Sequence, residues 1–289
     1  MKPFDYLLPS HLAEASDAWA AHGASARLLG GGTDLTVALR HGHLSTDLVI
    51  DLKSVAELKS DIGYDGDCLR VSAGTTMTAL GRYLADHDLF PALQDATAVV
   101  GSIQIRNRAT LAGNICNASP AADTVPVLAA MGAEVEIYGP GGTRMRSVDA
   151  FIEGNRKIDL GPGEIVTAVL IPLAEGPRGC AFDRITRRRG VDLATTNMAC
   201  TMDANGAVTV AFGAVTPRPL VLHDDSGVLG DPASTHGARA DAIARLAAHA
   251  SPITDVRATA EYRTAMLGVM SERALSVARA RLNGGMADA

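Results

Sequence analysis

The first part of the chain alternates short apolar runs with amphipathic segments, and Gly or Pro separates most of them. Apolar runs bounded by turn residues predict strands, whereas apolar residues at intervals of three and four predict helices. The pattern predicts helices over 10–22, with Ser10 as the capping residue, and over 35–40, 78–86 and 123–131. It predicts strands over 26–29, 48–52, 68–74 and 164–171, and a hairpin over 133–146 with its turn at 139–142.

The last third of the chain has a different pattern, in which longer apolar strands come first and helices follow. Residues 172–179 contain two prolines and two glycines, a composition that indicates a domain boundary. Beyond it the pattern predicts antiparallel strands over 180–187, 194–202 and 207–215, with a turn at 203–206, and helices over 238–250 and 255–283. Gly268 weakens the last helix, and the tail 284–289 is expected to be loose. The residues of this helix that are expected to face the core are Leu267, Met270, Ala274, Ala278 and Leu282.

Composition narrows the class of protein without identifying it. The 289 residues include 26 Lys and Arg against 32 Asp and Glu, and the resulting net charge of −6 disfavours a nucleic-acid partner. The chain has no apolar run of about 18 residues that would predict a membrane span. Pro3 and Asp5 interrupt the place where the apolar core of a signal peptide would lie, which favours a cytoplasmic location. The four cysteines form no Cys-x-x-Cys pair, so no zinc or iron–sulfur cluster is expected in this chain, and a redox cofactor would be organic.

Three consecutive glycines, followed by Thr33, Asp34 and Leu35, form the first candidate binding segment. The segment lies between a predicted strand and a predicted helix, where backbone N–H groups without neighbouring Cβ atoms favour an anion such as a diphosphate. It does not fit the Gly-x-Gly-x-x-Gly pattern, because Leu35 stands where the last glycine belongs. An ordinary tight turn explains the three glycines equally well.

The polar stretch from Gln104 to Thr124 is the second candidate segment. Its small and hydrogen-bonding residues are poor core material, and Gly113 permits a close approach of the backbone to a ligand. Asp123 is able to accept a hydrogen bond from a ribose or ribityl hydroxyl. The other hydrogen-bonding side chains are those of Thr110, Asn114, Asn117 and Ser119. A long loop that satisfies its own backbone remains the alternative interpretation.

Taken together, the two segments resemble those of the FAD-binding medium subunits of the molybdenum hydroxylases, the family of xanthine dehydrogenase and carbon monoxide dehydrogenase. Gly30–Leu35 matches the first family pattern, Ala-Gly-Gly followed by two variable residues and Leu. Residues 104–123 match the second, Gln-Ile-Arg-Asn-x-x-Thr-Ile-Gly-Gly-Asn followed by Ala-x-Pro-x-x-Asp. The likeness extends from Phe4 to about Leu282. Two departures from the second pattern are Leu111, an isosteric exchange, and Ala112, whose methyl group is expected to disturb the cofactor contact or to demand a different φ.

The resemblance implies an α+β fold. A vanillyl-alcohol-oxidase-like (PCMH-type) FAD-binding domain would occupy 1–175, with lobes over 1–57 and 58–175, and a CO-dehydrogenase-flavoprotein-like domain of antiparallel sheet and helices would occupy 176–289. FAD is expected to lie extended between the lobes, and no catalytic residue or metal ligand is expected in this chain. The cofactor-binding residues implied by the resemblance are Leu28, Gly30, Gly31, Gly32, Thr33, Asp34, Leu35, Val100, Gly101, Thr110, Gly113, Asn114, Asn117, Asp123, Ile165, Val166 and Arg184.

Four other groups of residues are weaker candidates. His41 and His43 have no carboxylate or third ligand nearby in the sequence, so a surface loop is favoured over a metal site. The run 187–189 of three arginines favours a solvated turn over a partner contact. Cys116 is expected to fill apolar space rather than to react. Tyr262 and Arg263 are expected to pack and cap rather than to catalyse.

The resemblance implies an electron-transfer subunit, because a flavin exchanges electrons singly or in pairs. A small partner subunit would hold two [2Fe–2S] clusters and a large one the molybdopterin cofactor, and electrons would leave FAD for NAD, a quinone or O₂. The three subunits are expected to form a heterotrimer. A stand-alone flavin-dependent oxidase or reductase of the same superfold is the alternative, and it would need an active-site base or a covalent flavin linkage. A scaffold that has lost FAD is a third reading, suggested only by Ala112.

Overall fold

A computed structural model describes residues 2–284 of the chain. The strands are β1 (Asp5–Leu7), β2 (Ala26–Leu29), β3 (Leu48–Asp51), β4 (Ile62–Asp65), β5 (Cys68–Ser72), β6 (Glu134–Gly139), β7 (Gly142–Ser147), β8 (Ile152–Gly154), β9 (Lys157–Ile158), β10 (Ile165–Pro172), β11 (Arg178–Ile185), β12 (Thr196–Asp203), β13 (Val208–Gly213) and β14 (Leu220–His223). The helices are α1 (Leu12–His22), α2 (Leu35–Arg40), α3 (Met77–Asp86), α4 (Pro91–Ala98), α5 (Ile103–Arg106), α6 (Leu111–Cys116), α7 (Thr124–Ala130), α8 (Val148–Phe151), α9 (His236–Ala247) and α10 (Ala260–Leu282).

The first lobe is a small parallel sheet in the order β1-β3-β2, with α1 packed against it. Every residue of the central strand β3 is buried, as expected for a strand that has neighbours on both sides. Leu12 and Ala15 of α1 pack with Ile50 of β3 in the core of this lobe. The glycine segment follows β2 directly and therefore lies at one end of this sheet.

The second lobe is a five-stranded antiparallel sheet in the order β4-β5-β10-β6-β7. Its central strand β10 joins the cores of the two lobes, because Ile165 packs in the first-lobe core while Val166 and Val169 pack in the second. Helices α3, α4, α6 and α7 contribute apolar side chains to the same second-lobe core. The glycine-bearing stretch 104–123 is therefore held by the core of the second lobe.

The third sheet is an antiparallel meander, β11-β12-β13-β14, and its two inner strands are largely buried. Ala199 and Ala211, which are paired across β12 and β13, belong to the second-lobe core, and α7 contacts both strands. The neighbouring residues Cys200 and Val210 point the other way, into a core formed with α9 and α10. The alternation of side chains in these strands thus places the C-terminal sheet between two helical layers.

The predicted strands and longer helices are confirmed, with shifted ends. The hairpin forms β6 and β7, and its turn lies between Gly139 and Gly142. The assignment of Ser10 as the cap of α1 is wrong: His11 occupies the N-cap position, and the Ser10 backbone N–H instead donates to the Glu14 carboxylate at 2.9 Å. The last helix begins at Ala260 rather than at 255, because Thr259 caps it by accepting from the Tyr262 N–H. Of the predicted tail 284–289, residues 285–289 lie outside the described residues.

Helix α10 runs through Gly268 without interruption, since a Cβ at this position would meet no atom within 4 Å and the glycine costs only propensity. Four of the five residues predicted to face the core are buried, and Leu282 packs against the same core while half-buried. None of the helices within residues 2–284 is both long and apolar enough to cross a membrane.

Candidate functional site

The glycine loop between β2 and α2 lets other backbone atoms approach its own backbone closely. A Cβ on Gly31 would lie 2.0 Å from the Arg108 carbonyl oxygen, so only glycine fits there without displacing backbone. Gly32 has φ +78°, and a Cβ on it would lie 2.9 Å from Leu29 Cδ1. Within residues 2–284, the backbone N–H groups of Gly31, Gly32 and Thr33 donate to no acceptor. Three unused donors in one short loop are suited to an anion.

The second segment is not the continuous loop that its polarity suggested. Ser102 caps α5 and Thr110 caps α6, each hydroxyl accepting from the N–H three residues onward. The chain between the two helices is anchored on α3, because the Met77 N–H donates to the Ala109 carbonyl oxygen at 2.8 Å. The pairing of Thr110 with Thr76 adds a β-bridge. The backbone between α5 and α6 is therefore held in a fixed position opposite the glycine loop.

The two segments, which are far apart in sequence, meet directly. The Arg108 main chain packs against Gly31, and a Cβ on Gly30 would lie 3.7 Å from Thr110 Oγ1. Asn117 Nδ2 donates to Asp34 Oδ1 at 3.0 Å, while the Arg156 guanidinium donates to the Asn117 side-chain oxygen. The structure therefore brings the first and second segments into one site.

A cleft of about 160 Å³ opens beside this junction. Its floor is apolar and its rim carries the two cationic side chains Lys53 and Arg108. The residues that line it are Gly30, Gly31, Leu52, Lys53, Leu58, Ala73, Gly74, Thr76, Asn107, Arg108 and Thr110. Most of these escaped the sequence analysis, because residues 52, 53, 58, 73, 74 and 76 belong to no motif and reach the cleft only through the fold. Asn107 and Arg108 lie inside the second segment, and the positive charge of Arg108 was the one signal that sequence reasoning passed over.

Lys53 is held in place by a buried carboxylate. Lys53 Nζ lies 2.5 Å from Asp51 Oδ1, and the Tyr6 hydroxyl donates to the other Asp51 oxygen. Burial raises the pKa of Asp51, but the hydrogen bonds from Lys53 and Tyr6 outweigh it and hold that pKa below its ordinary value. The hydrogen bond to Asp51, with burial, raises the pKa of Tyr6 to about 12. The lysine charge at the cleft is therefore balanced within the protein.

Asp123 and Arg184 form a shielded ion pair between the second lobe and the C-terminal sheet. Arg184 Nη1 lies 2.9 Å from Asp123 Oδ2, and the two side chains are 14% and 9% exposed. Asn197 Nδ2 donates to Asp123 Oδ1 at 3.2 Å. Burial raises the pKa of Asp123 to about 6, although Arg184 and Asn197 act in the opposite direction. Arg184 also donates to the Val99 carbonyl oxygen at 3.4 Å, next to the predicted residues Val100 and Gly101.

The remaining predicted residues differ in how exposed they are and in the contacts that they make. Asn114 accepts from the Thr124 hydroxyl at 2.7 Å and is half-buried. Gly101 has φ +53°, and the Arg106 guanidinium donates to its carbonyl oxygen. Ile165 and Val166 are buried in the core and pair with Tyr138 and Ile137 of β6. Leu28, Leu35 and Val100 are partly exposed, and Gly113 is exposed.

Ala112 does not have the effect expected of it. The residue lies inside α6 and its φ is not positive, so no special backbone geometry is needed. Its methyl group is buried in the second-lobe core, whereas the next residue, Gly113, is exposed. The extra carbon is therefore accommodated by packing inside the protein.

The residues present fit an anionic dinucleotide such as FAD. In the described part of the chain the N–H groups of Gly31, Gly32 and Thr33 have no partner, and a Cβ on Gly31 would collide with backbone, so this loop provides a cradle for a diphosphate. The adjacent cleft combines an apolar floor with cationic and hydroxyl-bearing side chains, the combination that binds nucleotides.

The weaker candidates take no part in this site. His41 and His43 stack on each other with ring centroids 6.0 Å apart, and no group of three or more His, Cys, Asp or Glu able to hold a metal occurs within residues 2–284. Burial raises the pKa of the Cys116 thiol to about 12, which disfavours the reactive thiolate. Arg187 is ion-paired with Asp192 at 3.2 Å, in keeping with a surface turn.

Comparison with known proteins agrees with this geometry. A sequence model of the FAD binding domain in molybdopterin dehydrogenase matches residues 2–174, and one of the CO dehydrogenase flavoprotein C-terminal domain matches 181–278. The chain is 32% identical over 284 residues to the carbon monoxide dehydrogenase medium chain of Afipia carboxidovorans, covering 96% of this chain and 97% of that protein. It is 29% identical over 290 residues to the xanthine dehydrogenase FAD-binding subunit of Escherichia coli, covering 97% and 99%.

A solved structure gives the same result for the fold. The chain matches one in the crystal structure of the cyanide-inactivated Cu,Mo-CO dehydrogenase with a TM-score of 0.88 at 30% identity, covering 97% of this chain and 100% of that one. The fold and the site thus define a two-lobed FAD-binding flavoprotein of the oxidoreductase class. The chain belongs to the family of FAD-binding subunits of the molybdenum hydroxylases.

Proposed function

We propose that the chain is the electron-transfer subunit of a multi-subunit molybdenum hydroxylase, accepting electrons from [2Fe–2S] clusters of a partner and passing them to an external acceptor. The observation that carries this proposal is the meeting of two distant segments at one anion cradle, with Asn117 bonded to Asp34 and Arg108 packed on Gly31. FAD, when bound, supplies exchange between one-electron and two-electron carriers. The acceptor that we propose is NAD, a quinone or O₂.

The roles that we propose for this chain's residues follow from which of their polar groups are free to bind a ligand and which are bonded within the protein. The N–H groups of Gly31, Gly32 and Thr33 bind the diphosphate, while Asp34 and Asn117 hold the two segments together. Asp123 and Arg184 form a shielded charged pair close to Val99, where they set the polarity around the flavin. The further residues assigned to the cofactor site are Leu28, Gly30, Leu35, Val100, Gly101, Thr110, Gly113, Asn114, and the backbone of Ile165 and Val166.

We further propose a heterotrimer with a large molybdenum-cofactor subunit and a small iron–sulfur subunit. The relatives support this, since they are named as the medium chain of one dehydrogenase and the FAD-binding subunit of another, and the chain spans nearly their whole length. We also propose that the chain divides into domains at about residue 175. The ends of the two matched family segments, at 174 and 181, support that division.

Purification of the chain with its co-expressed neighbouring gene products tests the function. We expect a complex of three different subunits whose visible spectrum contains flavin and iron–sulfur bands, and whose flavin is released as FAD on denaturation. After the clusters are reduced through the substrate of the large subunit, addition of NAD, a quinone or O₂ in turn identifies the acceptor from the rate of flavin reoxidation. Turnover of a small substrate by the isolated chain, without any partner, would instead indicate a stand-alone flavoenzyme.

A further inference from the structure

The cleft beside the glycine loop has two cationic side chains on its rim, Lys53 and Arg108, and they differ in whether a carboxylate of the protein neutralises them. Lys53 is paired with the buried Asp51 carboxylate at 2.5 Å, and the Tyr6 hydroxyl donates a hydrogen bond to the other oxygen of that carboxylate. Asp51 is only 4% exposed, so its charge is shielded and acts mainly on its neighbours. Lys53 therefore brings little uncompensated charge to the cleft.

Arg108 has no such partner. Its side chain is exposed and, within residues 2–284, its guanidinium takes part in no hydrogen bond or ion pair. Its backbone, in contrast, is fixed on both sides. The Arg108 N–H donates to the Ile105 carbonyl oxygen at 2.9 Å, the next residue accepts from the Met77 N–H, and the Arg108 carbonyl group is packed on Gly31. The protein thus holds a guanidinium that is unpaired within residues 2–284 on a rigid base, and the backbone of that base packs against the loop that carries the three unused N–H donors.

We propose that Arg108 is a binding residue for the ADP half of FAD, an inference that rests on the proposed function in assigning this cofactor to the cleft. A guanidinium presents two parallel N–H donors to a phosphate, with a geometry and strength that an ammonium lacks. The apolar floor of Leu52, Leu58 and Ala73 suits the flat base of a nucleotide. Arg108 therefore makes the site select a flavin that carries ADP over one that lacks it.

The test measures binding rather than turnover. The full-length chain is stripped of flavin, and dissociation constants are measured by titration calorimetry for FAD, for ADP and for riboflavin, which carries no phosphate. We expect Arg108→Gln to weaken both FAD and ADP by roughly tenfold or more and to leave riboflavin unchanged. Arg108→Lys, which keeps the charge but loses the paired donors, is expected to recover part of the affinity and to retain more of the salt dependence of FAD binding.

Arg245→Gln is the matched control, because it removes the same charge from an exposed residue of α9 in the C-terminal domain. We expect this variant to bind all three ligands like the unmodified chain. Circular dichroism reports the fold, and Arg108→Ala serves in place of the glutamine variant if that variant is unfolded. Unchanged affinities of the neutral Arg108 variants for FAD and ADP would overturn the proposal while leaving the proposed function intact. Failure of the unmodified chain to bind FAD would remove the proposed function and this inference with it.

Discussion

Neighbouring glycines in the first loop differ sharply in what they tolerate. At Gly31 a Cβ would lie 2.0 Å from a carbonyl oxygen and 2.7 Å from the carbonyl carbon of Arg108, and backbone cannot move aside as a side chain does. At Gly30 the nearest atom to a Cβ is Thr110 Oγ1 at 3.7 Å, and φ is not positive. Glycine is therefore required at Gly31 by contact between the two segments and at Gly32 by its positive φ, whereas Gly30 has room for a Cβ.

Replacement of Gly31 by Ala is expected to push the loop away from Arg108. Overpacking of this kind costs about 1–3 kcal/mol of unfolding free energy, and the loss of the cradle is expected to remove bound FAD as well. Denaturant unfolding of the flavin-free chain and the flavin content of the purified protein measure the two effects. Gly30→Ala is the control and is expected to retain both stability and FAD. Equal tolerance of the two substitutions would contradict the close packing at Gly31.

We expect the unfolding free energy to depend on pH through Asp123, because burial raises the pKa of this residue from 3.8 to about 6. The folded state binds this proton more tightly than the unfolded state, so the stabilisation is complete below about pH 4 and is lost as the pH rises through 6. Asp123→Asn cannot ionise. The unfolding free energy of the unmodified flavin-free chain, minus that of the variant, is therefore expected to fall by roughly 1–3 kcal/mol between pH 4 and 7. Urea titrations across this range measure it, and a constant difference would contradict the assignment.

At the scale of elements, the base of α10 is tied to the sheet that supports the second segment. Arg263 is 1% exposed, and its guanidinium donates to the carbonyl oxygens of Thr195 and Ala214 and lies 2.7 Å from Asp255 Oδ1. The Ala214 N–H in turn donates to the Pro120 carbonyl oxygen at 2.7 Å. Arg263 is thus a packing residue, as the sequence predicted, and it links α10 to the segment that ends at Asp123.

Removal of the Asp255 charge is expected to weaken the link that Arg263 makes between α10 and the C-terminal sheet. Burial raises the pKa of Asp255, but hydrogen bonds from Arg257 and Arg263 outweigh it and hold that pKa well below its ordinary value. Asp255→Asn leaves a buried guanidinium without its anion, so a loss of about 3 kcal/mol in unfolding free energy is expected at neutral pH. The contribution is complete above about pH 4 and declines as the pH falls from there towards the lowered pKa of the folded Asp255, so the difference between the variant and the unmodified chain is expected to be smaller in acid than at neutral pH. Thermal and urea unfolding at pH 7 and pH 3 test this, and a difference as large at pH 3 as at pH 7 would contradict it.

Elements with a long, regular pattern were predictable from the sequence, as were the short strand at 26–29 and the short helix at 35–40, but other short elements were not. The strand at 164–171 and the last helix carry enough apolar residues in register to be recognised, although Thr259 moved the start of the helix. Helices α5 and α6 have only four and six residues, fewer than two turns, so no periodicity could reveal them inside a polar segment. Strand β14 is a four-residue edge strand whose position depends on pairing with β13.

Some residues of the candidate site can likewise be recognised from local sequence motifs, whereas others reach the site only through the packing of distant parts of the chain. Gly31 and Asn117 lie in motifs that can be recognised by eye, and the structure brings these motifs together. Leu58, Ala73 and Thr76 line the cleft only because the first lobe packs on the second, and no local pattern encodes that packing. The ion pair of Asp123 with Arg184 likewise depends on how the C-terminal sheet docks on α7.

At the scale of the whole molecule, the C-terminal sheet shares its apolar residues between two cores. Cys180, Ala199 and Ala211 belong to the second-lobe core, while alternate residues of the same strands face α9 and α10. Arg281 of α10 also reaches Asp95 of α4 at 2.9 Å. Separation of the domains would expose both this apolar face and the Asp123–Arg184 pair to water, at a cost proportional to the area exposed.

We therefore expect residues 2–284 to unfold as one cooperative unit. Calorimetric heating of the flavin-free chain is expected to give a single transition whose calorimetric and van't Hoff enthalpies agree. Added FAD is expected to move that whole transition upward, because a ligand that binds only the folded state stabilises everything that unfolds with its site; at a hundredfold excess over the dissociation constant the gain is about 2.7 kcal/mol. Riboflavin at the same concentration is the control and is expected to shift the transition less, since it leaves the ADP cleft empty. Two transitions, with only the first responding to FAD, would mean that the C-terminal sheet folds independently of the lobes that it packs against.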